Sequence, residues 1–499
     1  MRFSELLRLC NVTAKPTADT NISAITADSR AVRPGSVFVA LRGVKHDGAA
    51  FVQAATQAGA YAIISDHLLI TDLPHVVDPN ARHTLAKAAA ILAGPQPAHI
   101  TAVTGTNGKS STAEFLRQFW ELQGHKAASL GTLGLNTSVD IPPPPSLTTP
   151  DPVSLAQTLA ALAKAGVTHV ALEASSHGLI QHRLDGVTLD AAGFSNLTRD
   201  HLDYHGTIEA YREAKLRLFK TLLPTTGRAA LNADMDADTA SSLRDIAQSR
   251  GLELRTIGEA GETLRLIETR PTPQGQIIRL ALSGEELPEL TFPLPGRFQL
   301  ENALLAAAMI WKDENEAREL LALLPRLTGV PGRCERVAAL PNGAAAYVDY
   351  AHTPDALARV LTSLRPHTDG RLIVVFGAGG DRDRGKRPLM GEAASRHADV
   401  VIVTDDNPRT ENAATIRAEI LATASNASEI ADRHDAIATG LESLSAGDIL
   451  VIAGKGHETG QIIGQTVLPF DDRAVTRDLA ARFTQNASQD IASAEKGSS

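Results

Sequence analysis

The sequence predicts an α/β protein of three domains: a small N-terminal α/β unit over 1–96, a central domain with a mostly parallel sheet over 97–331, and a C-terminal α/β domain over 332–499. Three observations predict it. Apolar runs of strand length end repeatedly in a polar, glycine-bearing loop and lead into an amphipathic helix, the alternation that builds a parallel sheet covered by helices. The 499 residues suffice for roughly three domains of ~150 residues, each with a core of its own. Hydrophobic residues at 43% and charged residues at 21% match ordinary soluble usage, so no domain has to be assigned to a membrane or to disorder.

In the first domain, "ADSRAVRPGSVFVALRG" reads as a Pro-Gly turn followed by a strand at Val37–Leu41, and "FVQAATQAGAYAIISD" as a helix followed by a strand. The prolines of "AGPQPAH" at Ala93–His99 predict a stiff linker, because proline stops a helix. In the central domain the strand "HITAVTG" feeds a helix whose Phe115, Phe119 and Leu122 share one face. The strand of "AGVTHVALEASSHGL" follows, and "IPPPPSLTTPDP" predicts a rigid loop. The third domain carries strands in "RLIVVFGAGG", "ADVVIVTDD" and "GDILVIAGKG", a Rossmann-like pattern whose carboxyl-end loops are where open sheets bind ligands. The tail from about 485, "QNASQDIASAEKGSS", lacks large apolar residues and is expected to be disordered.

Charge and cysteine usage narrow the classes. A net charge of -9 without a basic block excludes a typical nucleic-acid binder. Cys10 and Cys334 are too few and too far apart for a disulfide framework or a zinc site. Neither a signal segment nor a long apolar run is present, so a cytoplasmic protein without membrane insertion is expected.

The chemistry-bearing motifs lie in the loops. In "TGTNGKSST", the backbone of Gly105, Thr106, Asn107, Gly108, Lys109, Ser110 and Ser111 forms a turn at the positive end of a helix, suited to cradling phosphates. Lys109 reaches the outer phosphates and Ser110 offers a hydroxyl to Mg²⁺. Val103 replaces the first glycine of the longer phosphate-loop pattern, and the shortened loop alone admits kinases, motors and synthetases. Glu173 after one strand and His201 after another join Ser110 as hard ligands for Mg²⁺. Lys215, read alone, is a solvated helix lysine. Asp405, Asp406, Asn407, Pro408 and Arg409 end a strand about 300 residues beyond the phosphate loop.

These stretches resemble the Mur ligases, ATP-dependent amide-forming enzymes that build the peptide of bacterial cell-wall precursors. "TGTNGKSS", "EASSHGL", "RDHLDYHG", "VDYAHTPDAL", "GDRDRGKRPLMG" and "AGKGHE" occur in the family's order and cover all but the tail. The resemblance implies a uridine-nucleotide-binding first domain, a P-loop ATPase-like centre and an amino-acid-binding third domain in a monomer. It implies that residues 105–111, Asn302, Asp349 and His352 bind ATP. It places Mg²⁺ on Ser110, Glu173, His201 and a carbamylated Lys215. Ser29, Val44, Lys45 and His46 would receive the uridine end of UDP-N-acetylmuramoyl-L-alanyl-D-glutamate, and Thr148, Thr149, Ser175, Gln181 and Arg183 its muramoyl-dipeptide end. The incoming amino acid would meet Arg382, Asp406, Asn407, Pro408, Arg409, Gly454 and Glu458. Cys334 in "GRCER" departs from the bulkier apolar residue expected there, and reads as a small buried hydrophobe.

Arg409 bears on the choice of that amino acid. A guanidinium repels the distal ammonium of lysine but takes the distal carboxylate of meso-diaminopimelate through two parallel bonds, with Glu458 left for the adjoining ammonium. The Asp-Asn-Pro-Arg form also resembles the family's diaminopimelate-adding members. The bland alternative is an arginine that caps its loop or pairs with Asp405. Three other functions compete: folylpolyglutamate synthetase, which has no use for the "ADSRAVRPGSVFVALRG" segment; a nucleotide-switch ATPase that makes no bond; and a dehydrogenase, for which Gly377-Ala378-Gly379-Gly380 lacks the full G-x-G-x-x-G.

Overall fold

The structure, a computed structural model, describes residues 1–43, 47–145, 147–272 and 275–482. The tail from 485 and the Val44–His46 segment therefore lie outside the described residues. Strands β1 (Ala24–Thr26), β2 (Ser36–Ala40), β3 (Ala60–Ser65) and β4 (His75–Val77) form a parallel sheet in that order. Strand β2 begins one residue before the sequence expectation. It is buried at every position because successive side chains enter different cores. Val37 and Val39 pack with Phe3, Leu6 and the Ala81–Ala93 helix, whereas Phe38 and Ala40 pack with Ala55 and Ile63.

The central sheet uses β5 (His99–Thr104), β6 (Ala127–Gly131), β7 (Gly134–Thr137), β8 (His169–Glu173), β9 (Ala191–Phe194), β10 (Arg228–Asn232) and β11 (Glu253–Gly258). Their order is β11-β10-β9-β5-β8-β6-β7, parallel except for β7. Phe115 and Phe119 of the Lys109–Leu122 helix are fully buried, as their spacing predicts. The proline run stays without helix or strand, and the Pro152–Lys164 helix starts directly after it, capped by Asp151. Val153 and Ala156 of that helix pack into the N-terminal core, so the first two sheets belong to one compact unit: Met1–Ile267, Leu280–Leu287 and Glu301–Leu323.

Between the sheet motifs, β12 (Leu264–Thr272), β13 (Gly275–Leu282), β14 (Glu285–Glu286) and β15 (Leu290–Phe292) add pairings the sequence did not announce, antiparallel between β13 and both β14 and β15. The second unit is Glu268–Arg279, Pro288–Leu300 and Leu324–Ser499. Its main sheet holds β16 (Glu335–Ala339), β17 (Ala345–Asp349), β18 (Leu372–Phe376), β19 (Val400–Val403), β20 (Ala427–Glu429) and β21 (Ile449–Ala453), in the order β16-β17-β21-β18-β19-β20. All but β16 run parallel. The near-continuous apolar runs follow from burial on both faces: Leu372, Val374 and Phe376 enter one core, Ile373 and Val375 the other. A hairpin of β22 (Gly460–Ile463) and β23 (Thr466–Pro469) completes the unit. No helix among the described residues is long and apolar enough to cross a membrane.

Candidate active site

The phosphate loop joins β5 to the Lys109–Leu122 helix and is held from the neighbouring strand, β9. Thr106 N–H donates to the Asn196 carbonyl at 2.8 Å, and Asn107 N–H to Asn196 Oδ1 at 3.0 Å. Ser195 Oγ and Asn196 Nδ2 both donate to the Asn107 carbonyl, at 2.5 and 3.1 Å. Thr198 N–H donates to Thr106 Oγ1 at 2.9 Å. Sequence reasoning missed Ser195, Asn196 and Thr198; the available signal is that "SNLT" follows the strand beside β5. Gly108 has φ +86°, and a Cβ there would meet Asn302 Oδ1 at 2.3 Å, so glycine is required both by the turn and by the buried Asn302 packed over it. Lys109 Nζ donates to the Gly105 and Thr106 carbonyls at 2.9 and 2.7 Å.

Lys215 is not solvated. It is 1% exposed on the Ile208–Arg217 helix, its Nζ donates to the Gly105 carbonyl at 2.7 Å, and it lies 4.4 Å from the Tyr211 ring centroid. Burial first, and the Lys109 charge second, hold its pKa well below the usual lysine range. The sequence hid this because Ala, Lys and Leu in "EAKL" do not reveal which helix face is covered.

Glu173 ends β8 and is 2% exposed. Its Oε1 accepts from Thr132 N–H at 2.8 Å and its Oε2 from Thr132 Oγ1 at 3.1 Å. A Cβ on Gly131 would lie 2.1 Å from Oε1, so this glycine makes the room for the carboxylate. His201 is exposed, with φ +52°, and its Nε2 lies 3.5 Å from Asp200. The hard donors of Glu173 and the Ser110 hydroxyl fit Mg²⁺ chemically.

The residues expected at the dipeptide end form one connected network. Thr148 Oγ1 is 3.0 Å from Thr132 Oγ1. Thr149 Oγ1 donates to the Glu173 carbonyl at 2.7 Å and lies 3.0 Å from Ser175 Oγ, which caps Gly178 N–H at 3.1 Å. Arg183 Nη1 donates to the Thr149 carbonyl at 2.6 Å and Nη2 to Gln181 Oε1 at 2.8 Å, while Gln181 Nε2 donates to the Tyr204 hydroxyl at 3.3 Å. Ser29 stands apart, half-buried in the turn after β1 and next to the Asp28–Arg30 pair.

In the second unit, the loops after β17, β18, β19 and β21 leave the same end of the sheet. Asp349 Oδ2 accepts from Cys334 N–H at 2.6 Å and Oδ1 from Ala351 N–H at 2.8 Å; burial raises its pKa. Cys334 is a core residue, as read from sequence, and adopts φ +47°. His352 is exposed, with Nδ1 2.9 Å from the Tyr350 carbonyl. Arg382 is exposed and donates to the Asp381 carbonyl at 3.3 Å. Gly454 brings the β21 loop against the β19 loop, since a Cβ on it would meet Asp406 Oδ2 at 2.5 Å.

Arg409 does not pair with Asp405, whose carboxylate takes Arg417 instead. Its Nη1 donates to the Gly380 carbonyl at 2.8 Å and to the Asn407 carbonyl at 3.4 Å, bracing two loops with one corner of the guanidinium. Nε and Nη2 make no hydrogen bond among the described residues. The backbone is clasped by the hairpin: Arg409 N–H donates to the Ile462 carbonyl at 3.0 Å, and its own carbonyl accepts from Gly464 N–H at 2.7 Å. Pro408 is buried, and its carbonyl packs against Gly380, where a Cβ would come within 1.9 Å.

The chain belongs to the Mur ligase family. Three domain models match in order: the Mur ligase family catalytic domain over 21–117, the Mur ligase middle domain over 103–310, and the Mur ligase glutamate ligase domain over 332–456. The chain is 51% identical to a UDP-N-acetylmuramoyl-L-alanyl-D-glutamate–2,6-diaminopimelate ligase of Caulobacter vibrioides over 479 residues, which covers 94% of this chain and 98% of that one. It is also 51% identical to the ligase of the same name from Agrobacterium fabrum, covering 93% and 94%. A solved structure of a ligase of that name aligns with TM-score 0.69 and 36% identity over 92% of this chain and 95% of its own. MurF ligase from Thermotoga maritima in complex with ADP, at 19% identity and TM-score 0.59 over 93% and 97%, shares the fold. So does a Mycobacterium tuberculosis folylpolyglutamate synthase complexed with ADP, at 18% and 0.60 over 76% and 92%. The three-domain α/β architecture read from the sequence is that of the family.

Proposed function

We propose that this chain joins meso-diaminopimelate to the D-glutamyl residue of UDP-N-acetylmuramoyl-L-alanyl-D-glutamate, using ATP, as a step of peptidoglycan precursor synthesis in the cytoplasm. The observation that carries the choice of amino acid is Arg409, held on the sheet rim with one guanidinium edge unbonded. In this reading the domains divide near residues 97 and 332, one for each ligand.

A carboxylate oxygen is a poor leaving group, so the D-glutamyl side-chain carboxylate must first be activated. Its oxygen takes the γ-phosphoryl group as the bond to ADP breaks, giving an acyl phosphate. The amine of diaminopimelate attacks the carbonyl carbon, loses a proton, and the tetrahedral intermediate expels phosphate to leave the amide. Lys109 places positive charge beside the transferring oxygens, and the amides of residues 105–111 hold the phosphates. Asn302, Asp349 and His352 receive the adenosine portion. Thr148, Thr149, Ser175, Gln181 and Arg183 orient the acceptor, with Ser29 and the 44–46 segment at its uridine end.

Ser110, Glu173, His201 and a carbamate on Lys215 would hold Mg²⁺, which supplies further positive charge to the phosphoryl oxygens. Carbamylation needs a neutral amine: its nitrogen bonds to the carbon of CO₂ and releases a proton. The buried Lys215, with its pKa well below the usual range, supports that reading. The second substrate is tested by competition between meso-diaminopimelate and L-lysine under equal concentrations. Diaminopimelate is expected to form nearly all the product; a preference for lysine would overturn the assignment.

A further inference from the structure

Lys455 is fully buried in the loop after β21, and nothing in the reaction above uses it. Its ammonium has three acceptors: Asn407 Oδ1 at 3.1 Å, Glu458 Oε2 at 3.3 Å and the Gly460 carbonyl at 2.5 Å. Asn407 Oδ1 also accepts from Ile462 N–H at 2.9 Å, so two donors fix the orientation of the amide. Its Nδ2 is thereby turned to Glu458 and donates to Oε2 at 2.9 Å. One oxygen of Glu458 thus holds two donors, while Oε1 has no hydrogen-bond partner among the described residues.

We infer that Lys455 is a positioning residue that sets the selectivity of the amino-acid site through Glu458. The inference rests on the proposed diaminopimelate reading of that site. Lys455 and Asn407 lock the carboxylate so that Oε1 faces the incoming ammonium. Lys455 also balances the charge of Glu458. The pair together is neutral, so the rim keeps the positive charge of Arg409 and favours a distal group that carries a carboxylate beside its ammonium. Lysine, with a bare distal ammonium, is disfavoured. An apolar side chain at 455 would fill the space but would leave Glu458 unbalanced and free to turn.

The test compares the wild type with Lys455→Met and Lys455→Gln. Both variants are expected to raise KM for diaminopimelate about tenfold, the scale of one charged hydrogen bond. They are also expected to lower the diaminopimelate-to-lysine ratio of kcat/KM, with KM for ATP and for the nucleotide sugar unchanged. Folded variants with unaltered amino-acid KM and selectivity overturn the inference, as does an equal loss toward all three substrates. If neither variant folds, the readout moves to the wild type by NMR. The Asn407 side-chain amide signals must shift on adding diaminopimelate and stay in place with L-lysine, and the absence of that difference overturns it. A wild type that does not use diaminopimelate sinks the underlying reading, whereas unchanged variants of a wild type that does use it sink this inference alone.

Discussion

Arg409 carries φ +52°, a left-handed conformation that costs a residue with a Cβ ~1–2 kcal/mol. Strain at that position, sustained by two backbone bonds to the hairpin, aims the side chain. Stability and activity should therefore separate. Arg409→Gly is expected to be more stable than Arg409→Ala by about 1 kcal/mol in urea unfolding, because glycine adopts the same torsion freely. Both should lose about 100-fold in kcat/KM for diaminopimelate, the scale of a paired charge-assisted contact. The place of this arginine after a strand was legible in the sequence. Its torsion was not, since arginine gives no sign of a positive φ as Gly108 does. Lys215 was misread by local pattern alone for a related reason: what buries it is the phosphate loop, 110 residues away in sequence.

At the amino ends of β5 and β8, opposite the ligand loops, the rings of His99, His125 and His169 stack, with centroids 4.6 and 4.3 Å from His169, and Trp120 lies 5.2 Å from it. His99 pairs with Asp190 at 2.8 Å, and Thr168 Oγ1 meets His169 Nδ1 at 2.8 Å. Burial, then His125, His99 and Lys312, push the His169 pKa down to about 4. The unfolded chain takes up this proton near pH 6.5, before the native state does. Stability from this group is thus complete above pH 6.5 and is lost as pH falls toward 4. Melting temperatures across that window should decline less steeply for His169→Gln than for the wild type. Elements of this sheet were legible because apolar strands and glycine loops alternate. The antiparallel β12–β15 region was not, since "LRLIETRPT" alternates apolar with charged residues and lacks a helix to mark its end.

In the proposed reaction the chemistry is divided between two compact units, with the 105–111 loop in one and Arg409 in the other. Release of phosphate should therefore require both partners of the bond. A coupled assay is expected to give less than about one-tenth of the full rate when either acceptor or amino acid is omitted, since an unfilled site forfeits the positioning on which catalysis rests. At this scale the glycine-bearing loops were legible, because their place at strand ends follows from fold class. Their scaffolding was not: Ser195, Asn196, Lys455 and the hairpin act through contacts made only on folding. That hairpin bears on what the site is like before any ligand arrives. The Arg409 amide lies in a loop, yet it is bonded as a strand amide would be, and so is its carbonyl. Hydrogen exchange there should be as slow as in β22. The loop is then already ordered in the free protein, and an amino acid bound as proposed would meet a rigid template, so little ordering entropy would stand between encounter and a bound, correctly aimed amine.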